Sequence, residues 1–106
     1  MKNVLISGST KGIGLAIAQE LKASGCRVFG CGRSKCEDEN YLSTDLSRTE
    51  NAKALYLAAK EKLGSIDILI NNAGVYDYSP IEKTDPDTAQ RLINLNLTTP
   101  CLLCKY

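Results

Sequence analysis

A glycine-rich loop between a strand pattern and a helix pattern is the feature that most constrains the fold of this chain. Residues 4–6 form a short apolar run, and Gly8, Gly12 and Gly14 follow it directly. After the loop, the apolar residues recur with helical spacing, at Ile13, Ala16, Ile17 and Leu21. In such a turn the glycines permit a tight bend, close approach of the backbone to a phosphate, and close packing of helix on strand. Because the N–H groups at a helix start favour an anion, the stretch predicts a pyrophosphate site.

The position of Lys11 separates this loop from other phosphate-binding patterns. A P-loop requires a lysine directly after its last glycine, whereas Lys11 precedes Gly12. The spacing also differs from Gly-x-Gly-x-x-Gly. The alternative interpretation is a glycine-rich turn that binds no ligand.

The rest of the chain alternates between strand and helix patterns. Further strands are predicted over residues 28–31, 41–44 and 66–70, with a polar connection over 33–40. Alternating strands and helices favour parallel βαβ units with helices on both faces of the sheet. We therefore predict an α/β fold with a three-layer, doubly wound parallel sheet of about four strands, incomplete at one edge.

Capping signals place the remaining helices. Ser47 and Glu50 have the spacing of a capping box, and the helix after them is expected to bury the apolar side chains of Ala52, Leu55, Ala59 and Leu63. A loop is predicted over residues 76–83. Asp85 and Pro86 then predict the start of a third helix, which runs through Leu92 and Leu95 until Pro100 interrupts it before the apolar residues 101–104.

Composition narrows the class of protein. The 106 residues include 13 basic and 12 acidic side chains, which argues against a basic nucleic-acid-binding surface. The chain has no histidine, the commonest metal ligand, and we predict no metal site. Five cysteines are too few for a disulfide scaffold, and no apolar stretch approaches the roughly 18 residues of a membrane span. We expect one cytoplasmic domain that binds neither nucleic acid nor membrane.

Four motifs in order resemble the N-terminal part of the short-chain dehydrogenase/reductase family. Gly8, Gly12 and Gly14 are similar to its glycine motif, and Asn-Asn-Ala-Gly at residues 71–74 is similar to its second motif. Asp45 and Leu46 resemble its adenine-contact pair, and residues 96–98 resemble the segment with its catalytic asparagine. The resemblance covers essentially the whole chain. It implies a Rossmann-type fold and an NAD(P)-dependent oxidoreductase that interconverts carbonyls and alcohols.

The resemblance also implies roles for individual residues. Asn96 would be the catalytic asparagine, with Asn94 as a competing candidate. The cofactor-binding residues would be Gly8, Ser9, Lys11, Gly12, Ile13, Gly14, Arg33, Ser34, Asp45, Leu46, Asn72, Ala73 and Gly74. The alternatives are that Asp45 is only a polar loop residue, that residues 72–74 only end a strand, and that Asn96 faces solvent.

Charges near the end of the second strand indicate which cofactor is preferred. An NAD site needs a carboxylate about 20 residues past the glycines, but Gly32, Arg33 and Ser34 stand there. A guanidinium suits the 2′-phosphate of NADP(H), and Lys11 adds a second cation. We predict NADP(H) over NAD(H), although the acidic residues 37–39 could compete and the two cations could be ordinary surface residues.

The residues that transfer protons in the family are not found after Asn96. The family uses a serine and a Tyr-x-x-x-Lys pair there, and the similar spacing of Tyr56 and Lys60 falls too early in the chain. We therefore expect residues 1–106 to be one nucleotide-binding domain, truncated at its C-terminal end and inactive by itself.

Two other interpretations of the chain stay open. It could be a non-catalytic dinucleotide-binding module, or a partner-interaction protein that associates through its unfinished sheet edge or the apolar residues 101–103. A carbonyl or alcohol substrate would be a partner only if the missing part is supplied. The Cys101-x-x-Cys104 spacing is also compatible with redox chemistry, although cysteines among leucines more often behave as small hydrophobic residues.

Overall fold

The chain folds into a four-stranded parallel sheet with the strand order β3-β2-β1-β4. The computed structural model describes residues 1–75 and 79–106. The strands are β1 (Asn3–Ser7), β2 (Arg27–Gly32), β3 (Tyr41–Ser43) and β4 (Ile68–Ile70). The α-helices are α1 (Gly12–Ala23), α2 (Asn51–Leu63), α3 (Pro86–Ile93) and α4 (Thr99–Lys105).

Strand β1 occupies the centre of the sheet. It pairs with β2 on one side, where Leu5 is opposite Phe29, and with β4 on the other, where Leu5 is opposite Leu69. The chain moves outward in one direction from β1 to β2 and β3, and then returns through α2 to the opposite side. This reversal confirms the predicted doubly wound α/β fold.

Alternate residues of β1 point to two separate cores, one on each face of the sheet. Val4 and Ile6 pack with Val28 and with Ala18 of α1. Leu5 faces the other way and packs with Phe29 and the apolar side of α2. The predicted apolar positions of α2 are all buried, namely Ala52, Leu55, Ala59 and Leu63. Burial on both faces explains the short, continuously apolar run of β1, whereas Ile68 of the edge strand β4 is 38% exposed.

Two helix starts differ from the sequence prediction. Ile13 was expected on the buried face of α1 but is 74% exposed, because the small residues Gly14 and Ala18 form the line that packs on the sheet. The predicted capping box was also wrong, since α2 begins at Asn51 with Glu50 at its N-cap and no side-chain cap. Ser47 lies earlier, in a turn.

The C-terminal helical segment continues through Pro100. Asp85 caps α3 as predicted, because its carboxylate accepts a hydrogen bond from the Thr88 amide at 2.8 Å. A π-helical turn over Asn94–Thr98 then joins α3 to α4. Pro100 lies in the first turn of α4, where a missing N–H is tolerated. Of the loop predicted over 76–83, residues 76–78 lie outside the described residues, and Ile81–Lys83 form a 3₁₀ helix.

None of the helices in the described ranges is both long and apolar enough to cross a membrane.

Candidate functional site

A cleft opens at the carboxyl ends of β1 and β4, where the chain reverses direction across the sheet. Ligands of open α/β sheets bind at such a switch point. The glycine loop, the end of β2, the segment after β3 and the segment after β4 surround the cleft. Its lining residues are Gly8, Thr10, Lys11, Gly32, Arg33, Ser34, Thr44, Asp45, Leu46, Asn72, Ala73, Gly74, Val75 and Leu95.

The conformation of the glycine loop requires glycine at three positions for different reasons. Gly8 and Gly12 have φ angles of 70° and 60°, which favour a residue without a side chain. Gly14 lies in the first turn of α1, where a Cβ atom would overlap the carbonyl oxygen of Gly8 and lie 2.5 Å from Nδ2 of Asn72. Among the described residues, apart from the two chain neighbours and the backbone of α1, no atoms lie within 4 Å of a Cβ built at Gly12.

Two glycines of β2 also make room for this loop, and the sequence analysis did not identify their role. A Cβ atom at Gly30 would overlap Oγ of Ser9, and one at Gly32 would lie 2.8 Å from the Tyr41 hydroxyl and 3.2 Å from Oγ1 of Thr10. The amides of Gly8 and Ser9 both donate to the carbonyl oxygen of Cys31, at 2.9 and 3.0 Å. In the sequence, this packing is indicated by glycines at alternate positions of a predicted strand, Gly30 and Gly32.

Ser7 and Asn72 connect the glycine loop to the end of β4. Oγ of Ser7 accepts hydrogen bonds from the amides of Asn72 and Ala73, at 3.1 and 3.0 Å. Nδ2 of Asn72 donates to the carbonyl oxygen of Gly8 at 3.0 Å. The two strand ends that border the cleft are therefore joined by three hydrogen bonds, one of them from the side chain of Asn72.

Asn96 binds the backbone of the segment after β4. Its Oδ1 accepts from the amide of Val75 at 2.9 Å, and its Nδ2 donates to the carbonyl oxygen of Val75 at 2.6 Å. Asn96 lies within the π-helical turn, and Pro100 cannot donate to its carbonyl oxygen as a residue at i+4 normally does. The competing candidate, Asn94, instead donates to the carbonyl oxygen of Ser47 at 3.0 Å.

Asp45 is fixed in the cleft by Ser47. The amide and Oγ of Ser47 both donate to Oδ1 of Asp45, at 3.0 and 2.7 Å. The Ser47 hydroxyl is the main cause that lowers the pKa of Asp45, with smaller contributions from the positive charges of Arg91 and Arg33. Oδ2 makes no hydrogen bond to the described residues, so one carboxylate oxygen is available to a ligand.

Lys11 and Arg33 are the cations that line the cleft. Within residues 1–75 and 79–106 the ion pairs are Lys22–Asp38 and Arg48–Glu50, so neither cleft cation forms an ion pair with a carboxylate of that part. The predicted competitor Asp38 binds Nζ of Lys22 at 2.9 Å. Arg33 and Lys11 are both exposed, and a second groove that contains Lys83 and Arg91 continues from Arg33.

Most of the predicted cofactor residues lie around this one cleft. Four of them do not line it: Ser9 contacts Gly30, Gly14 packs beneath Gly8, and Gly12 and Ile13 lie at the exposed start of α1. Asn96 acts on the cleft through Val75. Five further residues line the cleft without being among the predicted cofactor residues, namely Thr10, Gly32, Thr44, Val75 and Leu95.

Tyr56 and Lys60 lie at the opposite end of the sheet from the cleft. They border a groove with residues 64–67, which precede β4. The ring of Tyr56 stacks on Tyr106 with 5.7 Å between ring centroids. Cys101 and Cys104 are exposed, and no metal-binding group of three or more His, Cys, Asp or Glu residues occurs in the part of the chain described above.

Comparison with known proteins identifies the family. The family model of short chain dehydrogenase matches residues 2–106. The chain is 34% identical to chlorophyll(ide) b reductase NOL of Oryza sativa subsp. japonica, over 97% of this chain and 35% of that protein. It is 33% identical to 3beta-hydroxysteroid dehydrogenase 1 of Eggerthella lenta, over 92% of this chain and 42% of that protein. The chain thus spans well under half the length of these relatives.

Solved structures show the same fold. The NADH-dependent reductase A1-R′ complexed with NAD superimposes with a TM-score of 0.88 and 30% identity, over 98% of this chain and 49% of that one. A blue fluorescent protein from a metagenomic library in complex with NADPH gives a TM-score of 0.90 over 98% and 49%, and at 22% identity it supports the fold alone. From the family match and these relatives we conclude that the chain belongs to the short-chain dehydrogenase family.

Proposed function

We propose that this chain is the cofactor-binding portion of an NADP(H)-dependent short-chain oxidoreductase that interconverts a carbonyl and an alcohol. The observation that carries the proposal is the cleft at the sheet switch point, with the glycine loop on one side and two cations, Lys11 and Arg33, that form no ion pair with the described residues. The family membership supports the reaction class. The matched region is under half the length of these relatives, and the proposal names a reaction class rather than an individual substrate.

The glycine loop fits the pyrophosphate of a dinucleotide. Gly8 lines the cleft, Gly12 lies at the exposed start of α1, and the missing side chain of Gly14 allows α1 to pack directly beneath Gly8. The N–H groups of the first turn of α1 provide donors for an anion. These features support the assignment of Gly8, Ser9, Gly12, Ile13 and Gly14 to the cofactor site, with Ser9 shaping the loop.

The cations favour a cofactor with a 2′-phosphate. Arg33 follows β2 at the position where an NAD site places a carboxylate, and Lys11 lies in the facing glycine loop. A guanidinium binds a phosphate by charge-assisted hydrogen bonds, whereas a ribose hydroxyl gains little from it. Because Asp38 is bound to Lys22, it is not positioned as a competitor. We therefore assign Arg33, Lys11 and Ser34 to the 2′-phosphate of NADP(H).

The two ends of the cleft have different chemistry. Asp45 would offer a carboxylate oxygen to the adenine ring, next to the almost fully buried Leu46, which also lines the cleft. At the other end, residues 72–75 and Asn96 would border the nicotinamide, which supplies a hydride when the cofactor is bound. Asn96 positions Val75 through two hydrogen bonds and has a carbonyl oxygen that Pro100 leaves without its usual donor.

The 106 residues by themselves are expected to bind the dinucleotide without transferring hydride. In the family a tyrosine donates or accepts the substrate proton, and Tyr56 lies in a groove at the far end of the sheet. An assay of NADPH consumption with a panel of ketones checks this. Sustained turnover by residues 1–106 alone would contradict the expectation.

Affinity measurements test the cofactor assignment. We expect the chain to bind NADPH about tenfold or more tightly than NADH, because a charge-assisted phosphate contact contributes about 1.5–3 kcal/mol. Arg33→Ala should remove most of this preference. Arg48→Ala is the matched control, since Arg48 is exposed, pairs with Glu50 and does not line the cleft. Tighter binding of NADH, or an unchanged NADPH affinity in Arg33→Ala, would overturn the assignment.

A further inference from the structure

Three successive backbone carbonyls after β3 each accept a hydrogen bond from a helix side chain. Nδ2 of Asn51 donates to the carbonyl oxygen of Asp45 at 2.8 Å. Oγ1 of Thr99 donates to that of Leu46 at 2.6 Å, and Nδ2 of Asn94 donates to that of Ser47 at 3.0 Å. Residues 45–47 are thus held from α2 on one side and from the segment around the π-helical turn on the other.

The hydrogen bond from Thr99 is buried, and the one from Asn94 is partly buried. Thr99 is 1% exposed, and Leu46 and Ser47 are 5% exposed. A hydrogen bond that is lost in such a place leaves a buried carbonyl without a partner, which costs more than the loss of an exposed bond. Residues 45–47 therefore have one strongly favoured position relative to Asn94 and Thr99.

The position of residues 45–47 determines where the Asp45 carboxylate lies, because Ser47 holds that carboxylate. The carbonyl oxygen of Ser47 is bound by Asn94, while the amide and Oγ of the same residue hold Oδ1 of Asp45. The free oxygen, Oδ2, is the one that would accept the adenine amino group. A shift of residue 46 or 47 would move Oδ2 with it.

The helical segment 94–99 also fixes the backbone at the opposite end of the cleft. Asn96 lies between Asn94 and Thr99 in sequence and binds both backbone polar atoms of Val75. Residues 94–99 therefore contact the wall on the Asp45 side and the wall on the Val75 side. The distance between the Asp45 side and the Val75 side of the cleft therefore depends on the backbone of residues 94–99.

We infer that Thr99 and Asn94 are positioning residues for adenine recognition, because they hold residues 45–47 at a fixed distance from the segment that carries Asn96. The inference rests on the proposed function, in which Asp45 accepts from the adenine amino group. Neither residue touches the cofactor in this assignment. Their effect is on the selectivity for the base.

Selectivity between adenine and hypoxanthine measures this effect directly. Deamino-NADPH carries hypoxanthine, which lacks the amino group and presents a carbonyl oxygen in its place. A site built to bind the amino group rejects such an analogue, so the wild-type chain should prefer NADPH by about tenfold or more. Asp45→Asn is the reference variant and should abolish the preference.

The positioning variants should reduce the same ratio. Thr99→Val removes the hydroxyl at nearly constant volume and should bring the ratio of the NADPH affinity to the deamino-NADPH affinity close to one. Asn94→Ala should lower the same affinity ratio. Thr99→Ser keeps the donor and should restore the wild-type ratio. Thr49→Val is the matched control, because its hydroxyl lies near the same turn and makes no hydrogen bond to the described residues. A general loss of stability would weaken binding of both nucleotides and leave their ratio unchanged.

The outcomes separate the inference from the proposed function. An unchanged ratio in folded Thr99→Val and Asn94→Ala, with the ratio abolished in Asp45→Asn, overturns the inference alone. Folding is verified by circular dichroism, and if Thr99→Val does not fold then Asn94→Ala decides. No NADPH binding by the wild-type chain, or no preference for adenine, overturns both the adenine assignment and the inference built on it.

Discussion

Ser47 donates two hydrogen bonds to a single carboxylate oxygen of Asp45, one from its amide at 3.0 Å and one from its hydroxyl at 2.7 Å. Both bonds stabilise the charged form of the carboxyl group. The pKa of Asp45 is consequently below its usual range, with the hydroxyl as the largest cause. The other oxygen stays available at the cleft.

This arrangement gives a prediction about acid stability. The folded-state pKa of Asp45 is lowered, so its contribution to the free energy of unfolding is present above the unfolded pKa near 3.9 and is lost as the pH falls through the folded value. Ser47→Ala should raise the pKa of Asp45 and move the acid-unfolding midpoint to higher pH. Carbon NMR titration of the aspartate carboxyl groups measures the pKa directly.

The control for this prediction is a second aspartate with a similar arrangement. Thr88 donates to Asp85 through its amide and hydroxyl, which lowers the pKa of Asp85. Thr88→Val should therefore raise the pKa of Asp85 and leave that of Asp45 unchanged. If Ser47→Ala leaves the Asp45 titration where it is in the wild type, the hydroxyl is not its main cause.

The close contact of Gly14 with Gly8 predicts a large cost for adding one methyl group. A Cβ atom at residue 14 would overlap the Gly8 carbonyl, so the glycine loop or α1 would have to move. We expect Gly14→Ala to lower the free energy of unfolding by about 1–3 kcal/mol, as for other overpacked sites, and to weaken dinucleotide binding. Urea denaturation and nucleotide titration measure the two effects.

Gly25→Ala is the control for Gly14→Ala, because it introduces backbone strain without a steric overlap. Gly25 has a φ angle of 89°, but no atoms lie within 4 Å of its Cβ position. Its substitution should cost stability through backbone strain, about 1–2 kcal/mol, without affecting the nucleotide. Equal losses of nucleotide affinity in the two variants would argue against a specific role for Gly14.

The sequence predicted the order of elements and most of the cleft because both depend on local patterns. Strand and helix periodicity placed β1, β2 and β3 and the buried side of α2, and Asp85 with Pro86 marked the start of α3. Motif spacing placed residues 72–74 and Arg33 at the cleft. These signals need only residues that are neighbours in the chain.

The parts that the sequence analysis missed depend on contacts between distant residues. Ser47 and Glu50 have a capping-box spacing, but Ser47 forms its bonds with Asp45 and Asn94 instead. Ile13 has helical spacing with Ile17, but the closeness of α1 to the sheet favours the small residues Gly14 and Ala18 as the contact line. The hydrogen bond from Thr99 to Leu46 joins residues 53 positions apart, and no local pattern indicates it.

Burial of Cys31 predicts selective reactivity among the five thiols. Cys31 is buried in β2, and desolvation raises its pKa to about 11. Cys36, Cys101 and Cys104 are exposed. Because the thiolate is the reactive form, iodoacetamide at pH 8 should label the three exposed cysteines first and Cys31 only after denaturation. Mass spectrometry of the digested protein identifies the labelled positions, and rapid labelling of Cys31 in the folded chain would contradict its buried position.

Removal of the Tyr41 hydroxyl is expected to change the cofactor preference, because this hydroxyl binds the backbone of Ser34, which we assign to the 2′-phosphate. Its hydroxyl donates to the carbonyl oxygen of Ser34 at 2.6 Å and so holds the residues after β2 in place. Tyr41→Phe should weaken NADPH binding by about threefold to tenfold, as expected for one lost hydrogen bond of about 0.5–1.5 kcal/mol. NADH binding should change less, because it lacks the 2′-phosphate that we assign to Arg33 and Ser34.

Tyr56→Phe provides the matched control for this variant. Tyr56→Phe also removes a tyrosine hydroxyl, but Tyr56 lies on α2 in the groove at the opposite end of the sheet. Fluorescence titration with both nucleotides should show an unchanged NADPH to NADH ratio in Tyr56→Phe and a reduced ratio in Tyr41→Phe. Since a general destabilisation would weaken both nucleotides alike, a reduced ratio confined to Tyr41→Phe would support the 2′-phosphate position, and equal ratios in the two variants would count against it.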